Sequence, residues 1–172
     1  MGLHVFQPVE LDDILEGAFR FGGDTWALLT AQKDDKVNTM TVSWGGLTYV
    51  WNKTCVVVYV RESRYTKEFI DASKKFSLSF LSRPEYKSLR KYLGSVSGRD
   101  EDKIPNARLN VNYFEDDIPF IDEADNVIIA KVLYRQKMEE NCFVSGRLIA
   151  DHYDKGDYHY MYIAEIKQVM IR

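Results

Sequence analysis

Two arginines, a serine and a threonine lie within the short segment Arg61–Thr66, where an apolar run gives way to a helical pattern. The preceding run Thr54–Val60 predicts a buried strand, and Ser63 lies where a helix N-cap is expected, so Arg64 would open the first turn. The start of a helix presents free backbone N–H groups and the positive end of the helix dipole. Two guanidinium groups and two hydroxyls at such a corner could bind a phosphate group.

The alternative explanation for these arginines is a set of surface ion pairs. Arg61 and Arg64 could pair with Glu62, Glu68 or Asp71, all of which are close in sequence. Surface pairs of this kind contribute roughly 0–1 kcal/mol and carry no function. The residues alone leave both explanations open.

A second candidate lies on the segment Val37–Trp44, whose side chains alternate as in a β-strand. Thr39, Thr41 and Ser43 share one face and form a row of hydroxyls that could hydrogen-bond the edge of a flat heterocycle. Trp44 and the two glycines after it would leave room for a ring to approach the backbone, although we expect those glycines to end the strand. The alternative is that the threonines are present only for their β-propensity.

The chain lacks the motifs of several other ligand classes. It contains no G-x-G-x-x-G, no Walker A motif and no H-E-x-x-H, so a dinucleotide-binding Rossmann domain, an ATPase and a zinc protease are not predicted. His4, His152 and His159 are expected to be structural or solvated, and no metal site is predicted. Cys55 is expected to be buried, and together with Cys142 it does not make a disulfide framework.

Composition predicts a single soluble domain spanning residues 1–172. The chain is 45% hydrophobic and 28% charged, and its net charge of −3 argues against a nucleic-acid partner. The acidic, amphipathic segment 9–17 does not resemble a secretory signal, and the longest apolar run, Cys55–Val60, is too short to span a membrane. We therefore expect a cytoplasmic protein without a membrane partner.

The hydrophobic pattern predicts a mainly β protein with peripheral helices, arranged as a small β-barrel. Predicted strands are Thr25–Gln32, Val37–Trp44, Thr54–Val60, Phe76–Leu81, Asn126–Met138, Phe143–Tyr153 and Asp157–Ile171, and predicted helices are Arg64–Ala72 and Arg83–Gly94. The segment between the second helix and Asn126 is expected to consist of long loops around short elements. Its acidic stretch Phe114–Asp125 is predicted to be a solvated loop or part of a cleft rim and not a metal site, because it lacks calcium-loop spacing.

Several strings of the chain together resemble a known family. The strings N-T-M-T-V-S-W-G-G, V-R-E-S-R-Y-T, S-G-R-D-E-D-K and G-D-Y-H-Y-M-Y-I-A-E-I are similar to those of the flavin reductase-like family of FMN-binding split barrels, especially its flavoredoxin-type members. The resemblance extends from about Trp26 to Ile166. It implies a split β-barrel and names FMN as the cofactor.

The resemblance also implies which residues surround the cofactor. The residues implied near the isoalloxazine ring are Asn38, Thr39, Met40, Thr41, Ser43 and Trp44. The residues implied at the phosphate are Arg61, Ser63, Arg64 and Thr66. A loop that closes over the flavin, from the same or the partner subunit, would contribute Ser97, Gly98, Arg99 and Lys103. Catalytic residues stay unassigned, because hydride transfer to a flavin requires no acid or base from the protein.

The implied function is that of an FMN-binding flavoprotein oxidoreductase. One interpretation is an NAD(P)H-dependent flavin or small-molecule reductase, in which NADH or NADPH docks transiently as co-substrate because no Rossmann motif exists. The alternatives are a flavoredoxin-like electron-transfer protein reduced by a redox partner protein, and a non-catalytic flavin- or haem-binding barrel. Members of the family are homodimers with FMN in a cleft near the subunit interface, so we expect a homodimer, in keeping with the 11 tyrosines and 9 phenylalanines of the chain.

Overall fold

The computed structural model describes residues 25–172, so the predictions for His4 and for the acidic segment 9–17 lie outside the described residues. The strands are β1 Ala27–Lys33, β2 Lys36–Val42, β3 Gly45–Val50, β4 Lys53–Arg61, β5 Lys75–Phe80, β6 Val111–Phe114, β7 Ile118–Ile121, β8 Asn126–Lys137 and β9 His159–Ile171. The helices are α1 Tyr65–Ser73, α2 Lys87–Ser95, α3 Lys103–Asn106 and α4 Gly146–His152, with short 3-10 turns at Pro84–Tyr86 and Glu140–Cys142.

Within this part of the chain, seven strands form one antiparallel sheet in the order β2-β1-β5-β8-β9-β4-β3, and β6 pairs with β7 in a separate hairpin. One hydrophobic core lies between the sheet and α1, and includes Phe69, Phe76 and Tyr162. A second core lies under α2, α3 and the β6–β7 hairpin, and includes Leu93 and Ile121. The predicted class, mainly β with peripheral helices, is confirmed.

The strand β4 has two different faces. Val56, Val58 and Val60 are fully buried in the core, whereas Val57 and Tyr59, on the opposite face, are only half-buried. The prediction that this strand is buried on both faces is therefore only partly correct. The less buried face is available to line cavities.

The predicted strand ends before Gly45 and Gly46, since β2 stops at Val42, but the two glycines are themselves part of β3 and pair with β4. A Cβ atom on Gly45 would lie 2.3 Å from the carbonyl oxygen of Val57. Glycine therefore allows the two strands to approach closely at this point, where a side chain would clash with the backbone.

The prediction of a strand over Phe143–Tyr153 is also wrong, because most of this segment forms α4. Both edges of β8 are already occupied, by β5 and by β9, so the connection from β8 to β9 must leave the sheet. Its apolar residues Val144 and Leu148 are exposed and do not contribute to a core.

The acidic stretch Phe114–Asp125 is not simply a solvated loop. It contains β7, in which Ile118 and Ile121 are buried against the second core. Over residues 25–172 we find no helix with both the length and the apolar character required to cross a membrane.

Candidate functional site

Two neighbouring cavities lie where β2, the end of β4, the start of α1 and the loop after α2 meet. The first, here called the cation-lined cavity, has a volume of about 130 Å³ and is lined by Asn38, Met40, Ser63, Arg64, Tyr65, Thr66, Ser95, Val96, Ser97, Gly98, Arg99 and Lys103. The second, here called the aromatic cavity, has a volume of about 160 Å³ and is lined by Met40, Thr41, Val42, Ser43, Trp44, Tyr59, Arg61, Arg64 and His159. Met40 and Arg64 line both, so the two cavities adjoin.

The helix α1 begins one residue later than the sequence predicts. Arg64 is its N-cap, with extended backbone angles and no side-chain cap, and the first helical residue is Tyr65. Ser63 does not cap the helix because its N–H and hydroxyl groups both donate to the carboxylate of Asp157, at 2.8 and 2.7 Å. The first N–H groups of α1 therefore lack a side-chain acceptor at the edge of the cation-lined cavity.

The carboxylates that could have paired with the two arginines have other partners. Glu62 pairs with Lys137, Glu68 with Arg99 and Lys33, and Asp71 with Lys67 and Arg135. Arg61 instead donates to two backbone carbonyls, those of Asp157 and His152, at 3.1 and 3.0 Å. Across the described residues, neither arginine forms the ion pairs that the alternative explanation requires.

Arg64 is the most informative cation of the site. The residue is half-buried and lines both cavities, and its guanidinium group has no hydrogen-bond or ion-pair partner among residues 25–172. A half-buried guanidinium group without an anion is unfavourable, because the charge is partly removed from water without compensation. The structure therefore has an unmatched positive charge at the junction of the two cavities.

Lys103 adds a second positive charge to the cation-lined cavity. The residue is only 3% exposed, and its ammonium group donates to the carbonyls of Leu93 and Val96 at the end of α2, both at 3.0 Å. Burial, together with repulsion from Arg64, lowers the pKa of Lys103 to about 8. An anion placed near both groups would relieve this repulsion.

The loop after α2 packs against β2 of the same chain. Gly98 is buried, and a Cβ atom there would lie 2.1 Å from Oδ1 of Asn38. Asn38 in turn donates to the hydroxyl of Thr66 on α1, at 2.8 Å. The close packing of Gly98 on Asn38 therefore joins loop, strand and helix into one wall of the cavity.

Arg99 and Ser97 have largely local roles in this loop. The guanidinium group of Arg99 pairs with Glu68, donates to the carbonyl of Ser63 at 3.2 Å and lies 4.7 Å from the centre of the Tyr65 ring. The hydroxyl of Ser97 accepts the N–H of Arg99 at 3.2 Å. Both residues line the cation-lined cavity of the same chain.

The predicted row of hydroxyls on β2 does not form one surface. Thr39 is fully buried, forms a 2.9 Å hydrogen bond with the hydroxyl of Thr30 across β1, and lines neither cavity. Thr41 lines the aromatic cavity, but its hydroxyl donates to the carbonyl of Arg90 at 2.9 Å. Thr39 is hidden because it lies directly opposite Thr30 in the β1–β2 pair.

Sequence reasoning missed six residues that line the cavities, namely Val42, Tyr59, Tyr65, Ser95, Val96 and His159. His159 is 7% exposed, accepts or donates a 2.8 Å hydrogen bond with the hydroxyl of Tyr153, and lies 5.0 Å from the centre of the Trp44 ring. Burial and the nearby Arg61 lower the pKa of His159 to about 4, so the imidazole is neutral at pH 7. The alternation of β9 indicates a strand, but only the pairing of His159 with Arg61 shows that this histidine reaches the site.

All the predicted phosphate and ring residues except Thr39 line one of the two cavities. However, Arg61, predicted at the phosphate, lines only the aromatic cavity, and Asn38, predicted at the ring, lines only the cation-lined cavity. Within residues 25–172 there is no group of three or more histidine, cysteine or acidic side chains that could hold a metal ion. Both cysteines are free thiols, with Cys55 buried as expected and Cys142 exposed. The arrangement therefore offers two adjoining cavities, the first with Arg99 and Lys103 and the second with Trp44, Tyr59 and His159, which meet at Arg64.

The fold and the sequence together define the family of this chain. The profile of the flavin reductase like domain matches residues 23–169, so the chain belongs to that family. Its fold is the split β-barrel of flavin reductase-like proteins. Among curated proteins, none matches the sequence significantly.

Solved structures share this fold at low sequence identity. The flavoredoxin of Methanosarcina acetivorans is 24% identical over 86% of this chain and 68% of its own, with a TM-score of 0.66. An FMN-binding protein from Thermus thermophilus is 18% identical over 100% of this chain and 82% of its own, with a TM-score of 0.68. The flavin reductase of the Pseudomonas putida S12 styrene monooxygenase is 16% identical over 86% of this chain and 79% of its own, with a TM-score of 0.61.

Proposed function

We propose that this protein binds FMN and acts as an NAD(P)H-dependent flavin or small-molecule reductase. The observation that carries the proposal is the position of Arg64, whose unmatched charge lies between a cation-lined and an aromatic cavity. Membership of the flavin reductase-like family supports the same cofactor. So does the fold shared with an FMN-binding protein and with flavin reductases.

The size and charge of the two adjoining cavities fit FMN. Each cavity is smaller than the roughly 300 Å³ of a typical cofactor pocket, so a ligand of that size would span both. The phosphate would lie in the cation-lined cavity with Arg64, Lys103 and Thr66, since a phosphate at neutral pH carries up to two negative charges. The ring would lie in the aromatic cavity beside Met40 and Trp44.

Bound FMN would supply the chemistry of hydride and electron transfer, and the protein would bind and orient the FMN. Arg64 and Lys103 would compensate the phosphate charge, and Asn38 would hold the loop of Gly98 over the cavity. Thr39 would act indirectly, because its bond to Thr30 fixes the position of β2. Neutral His159 would present an uncharged side wall to the ring.

Docking of NADH or NADPH would have to be transient, at the open side of the aromatic cavity, where Trp44 is 43% exposed. No side chain is assigned an acid or base role. The second candidate is an electron carrier reduced by a redox partner protein. The fold shared with two flavoredoxins supports it.

The visible spectrum of the purified protein tests cofactor binding, and stopped-flow mixing with NADH and NADPH tests the reaction. A flavin spectrum that bleaches rapidly with either nicotinamide supports the reductase. A flavin spectrum that bleaches only with a reduced ferredoxin-like protein supports the carrier. Absence of flavin after reconstitution with FMN would contradict both.

We also propose a homodimer in which a second copy covers the edge strand β3. Leu47, Tyr49 and Trp51 on this strand and its turn are 53%, 70% and 55% exposed, and an apolar edge strand is prone to association. Light scattering at micromolar concentration should give twice the monomer mass, and Tyr49→Glu should shift it toward the monomer. A monomeric wild-type protein that retains flavin would contradict the proposal.

A further inference from the structure

A third cavity of about 220 Å³ lies beside the aromatic cavity, and Tyr59 lines both. We propose that this methionine cavity, lined by Met138, Met161, Phe143 and Cys142 in addition to Tyr59, binds a neutral compound with a single ring and one hydrogen-bond acceptor. Its place next to the aromatic cavity suits the second substrate of the reductase. That role rests on the proposed function, whereas binding of the compound does not.

The cavity is built on the outward faces of two paired strands. Tyr59 of β4 lies directly opposite Met161 of β9, on the side of the sheet that faces away from the core. Met138, directly after β8, and Cys142, at the end of a 3-10 turn, complete the lining. The N–H of Met138 donates to the carbonyl of His159 at 2.9 Å, so the methionine cavity and the aromatic cavity share a wall.

The size and lining of the cavity favour one ring. An engineered apolar cavity of about 150 Å³ binds benzene, so about 220 Å³ leaves space for a ring with a small substituent. Thioether and aromatic side chains attract aromatic rings, and the flexible Met138 and Met161 can adjust to the outline of a ligand. A dinucleotide or a lipid chain would not fit within this volume.

The charges at the rim disfavour an anionic ligand. Lys137 is paired with Glu62, whereas the carboxylate of Glu139 has no ion-pair partner among the described residues. The rim thus has one uncompensated negative charge, which would repel a carboxylate or phosphate. The ligand that fits this balance is neutral.

Two polar groups can recognise a single acceptor atom. The hydroxyl of Tyr59 has no hydrogen-bond partner within residues 25–172, although its side chain separates the two cavities. The amide oxygen of Gln136 accepts the hydroxyl of Tyr134 at 2.6 Å, which orients its NH₂ group as a donor. Either donor could bind a carbonyl or hydroxyl oxygen on the ring compound.

The thiol of Cys142 provides a direct test, since it lines the cavity and is exposed, whereas Cys55 is buried. Acetophenone is the neutral probe, and benzoate is its anionic counterpart of similar size. The rate of Cys142 alkylation by iodoacetamide should fall about tenfold with acetophenone at ten times its Kd, with or without FMN. Benzoate at the same concentration should leave the alkylation rate unchanged. The Cys142→Ser variant measures the background rate of alkylation at other sites.

A filling variant and a matched control locate the binding. Met161→Trp should abolish protection by acetophenone, whereas Val169→Trp, on the same strand but outside the cavity, should retain it. Protection by benzoate equal to that by acetophenone, or protection that survives Met161→Trp, would overturn the proposal. A separate FMN titration distinguishes failure of this proposal from failure of the proposed function, because acetophenone should bind to the methionine cavity even if FMN does not bind.

Nuclear magnetic resonance of the wild-type protein gives a readout that needs no variant. With methionine methyl groups labelled with ¹³C, acetophenone should shift the signals of Met138 and Met161 and leave that of Met170 unchanged. Shifts confined to other methionines, or no shifts at saturating acetophenone, would exclude the methionine cavity as the site.

Discussion

The cation-lined cavity and the aromatic cavity adjoin, but they are built in different ways. The first is assembled from three separate segments, namely β2, the start of α1 and the loop of Gly98, and its chemistry depends on charges. The second is formed by the ends of β2 and β4 and the start of β9, and its chemistry depends on ring surfaces. Binding energy for an anionic ligand should therefore come from the first cavity, whereas the second should determine how a ring is presented.

Of the variants considered, Arg64→Ala should weaken FMN binding most, because Arg64 is the cation that lines both cavities. Loss of its charge-assisted hydrogen bonds, worth roughly 1.5–3 kcal/mol, should weaken FMN binding about 10- to 150-fold. Riboflavin has no phosphate, so its affinity should hardly change. Fluorescence quenching titrations of the apo proteins measure both.

Arg83→Ala is the matched control, because Arg83 pairs with Asp125 and lines neither cavity. It should leave both affinities unchanged. The stability of apo Arg64→Ala should stay level or rise slightly, since a cation is removed from a helix N-terminus. If Arg64→Ala leaves the FMN-to-riboflavin ratio at the wild-type value, Arg64 does not bind the phosphate.

Gly98→Ala should disrupt the assembled wall of the cation-lined cavity. The new Cβ would lie 2.1 Å from Oδ1 of Asn38, which cannot move freely because its amide is bonded to Thr66. We expect a loss of about 1–3 kcal/mol of stability in urea unfolding, with weaker FMN binding. Gly46→Ala is the control, since a Cβ atom on Gly46 would have no neighbour within 4 Å; equal losses in both variants would contradict the packing argument.

Lys103 should make FMN binding depend on pH. Its pKa is lowered to about 8 in the apo protein, and a bound phosphate should raise it again, so binding takes up a proton above pH 8. FMN affinity should therefore change little between about pH 7 and pH 8, where the phosphate is already doubly charged, and fall as pH rises above 8, by at most about tenfold per pH unit. Lys103→Met should bind FMN more weakly at pH 7 and show a flatter profile between pH 8 and 9.5; an unchanged profile would exclude Lys103 as a phosphate ligand.

Ser63→Ala should have the smallest effect. The N–H and hydroxyl groups of Ser63 already donate to Asp157 on the exposed side of the corner. Removing an exposed hydroxyl usually changes the free energy by less than about 0.5 kcal/mol, so FMN affinity should change about twofold at most. A change of tenfold or more in the same titrations would show that Ser63 leaves Asp157 to bind the phosphate.

Strands with strong alternation or continuous apolar character were predictable from the sequence, as β1, β4, β5 and β9 show. The connection Phe143–Tyr153 was not, because its apolar residues resemble a strand and only the occupied edges of β8 exclude it from the sheet. The close approach at Gly45 was also hidden, since it depends on the pairing of β3 with β4. Local sequence patterns therefore identify individual strands and helices, whereas strand pairing determines which segments join the sheet and where they approach closely.

The same limit applies to the candidate site. The cluster Arg61–Thr66 was recognisable because arginines at a helix start conflict with the helix dipole. The burial of Thr39 depends on its partner Thr30, and the place of His159 depends on its pairing with Arg61, so neither follows from residue spacing. The engagement of Ser63 by Asp157 joins residues far apart in sequence and has no local signal.

The most direct test of FMN binding is the affinity ratio of the wild-type apo protein for FMN and riboflavin, measured by flavin fluorescence quenching at one pH and salt concentration. Both ligands have the same ring, so the ratio isolates the contribution of the phosphate in the cation-lined cavity. We predict that FMN binds at least about tenfold more tightly than riboflavin. Equal affinities for the two flavins would contradict the assignment of this cavity to a phosphate.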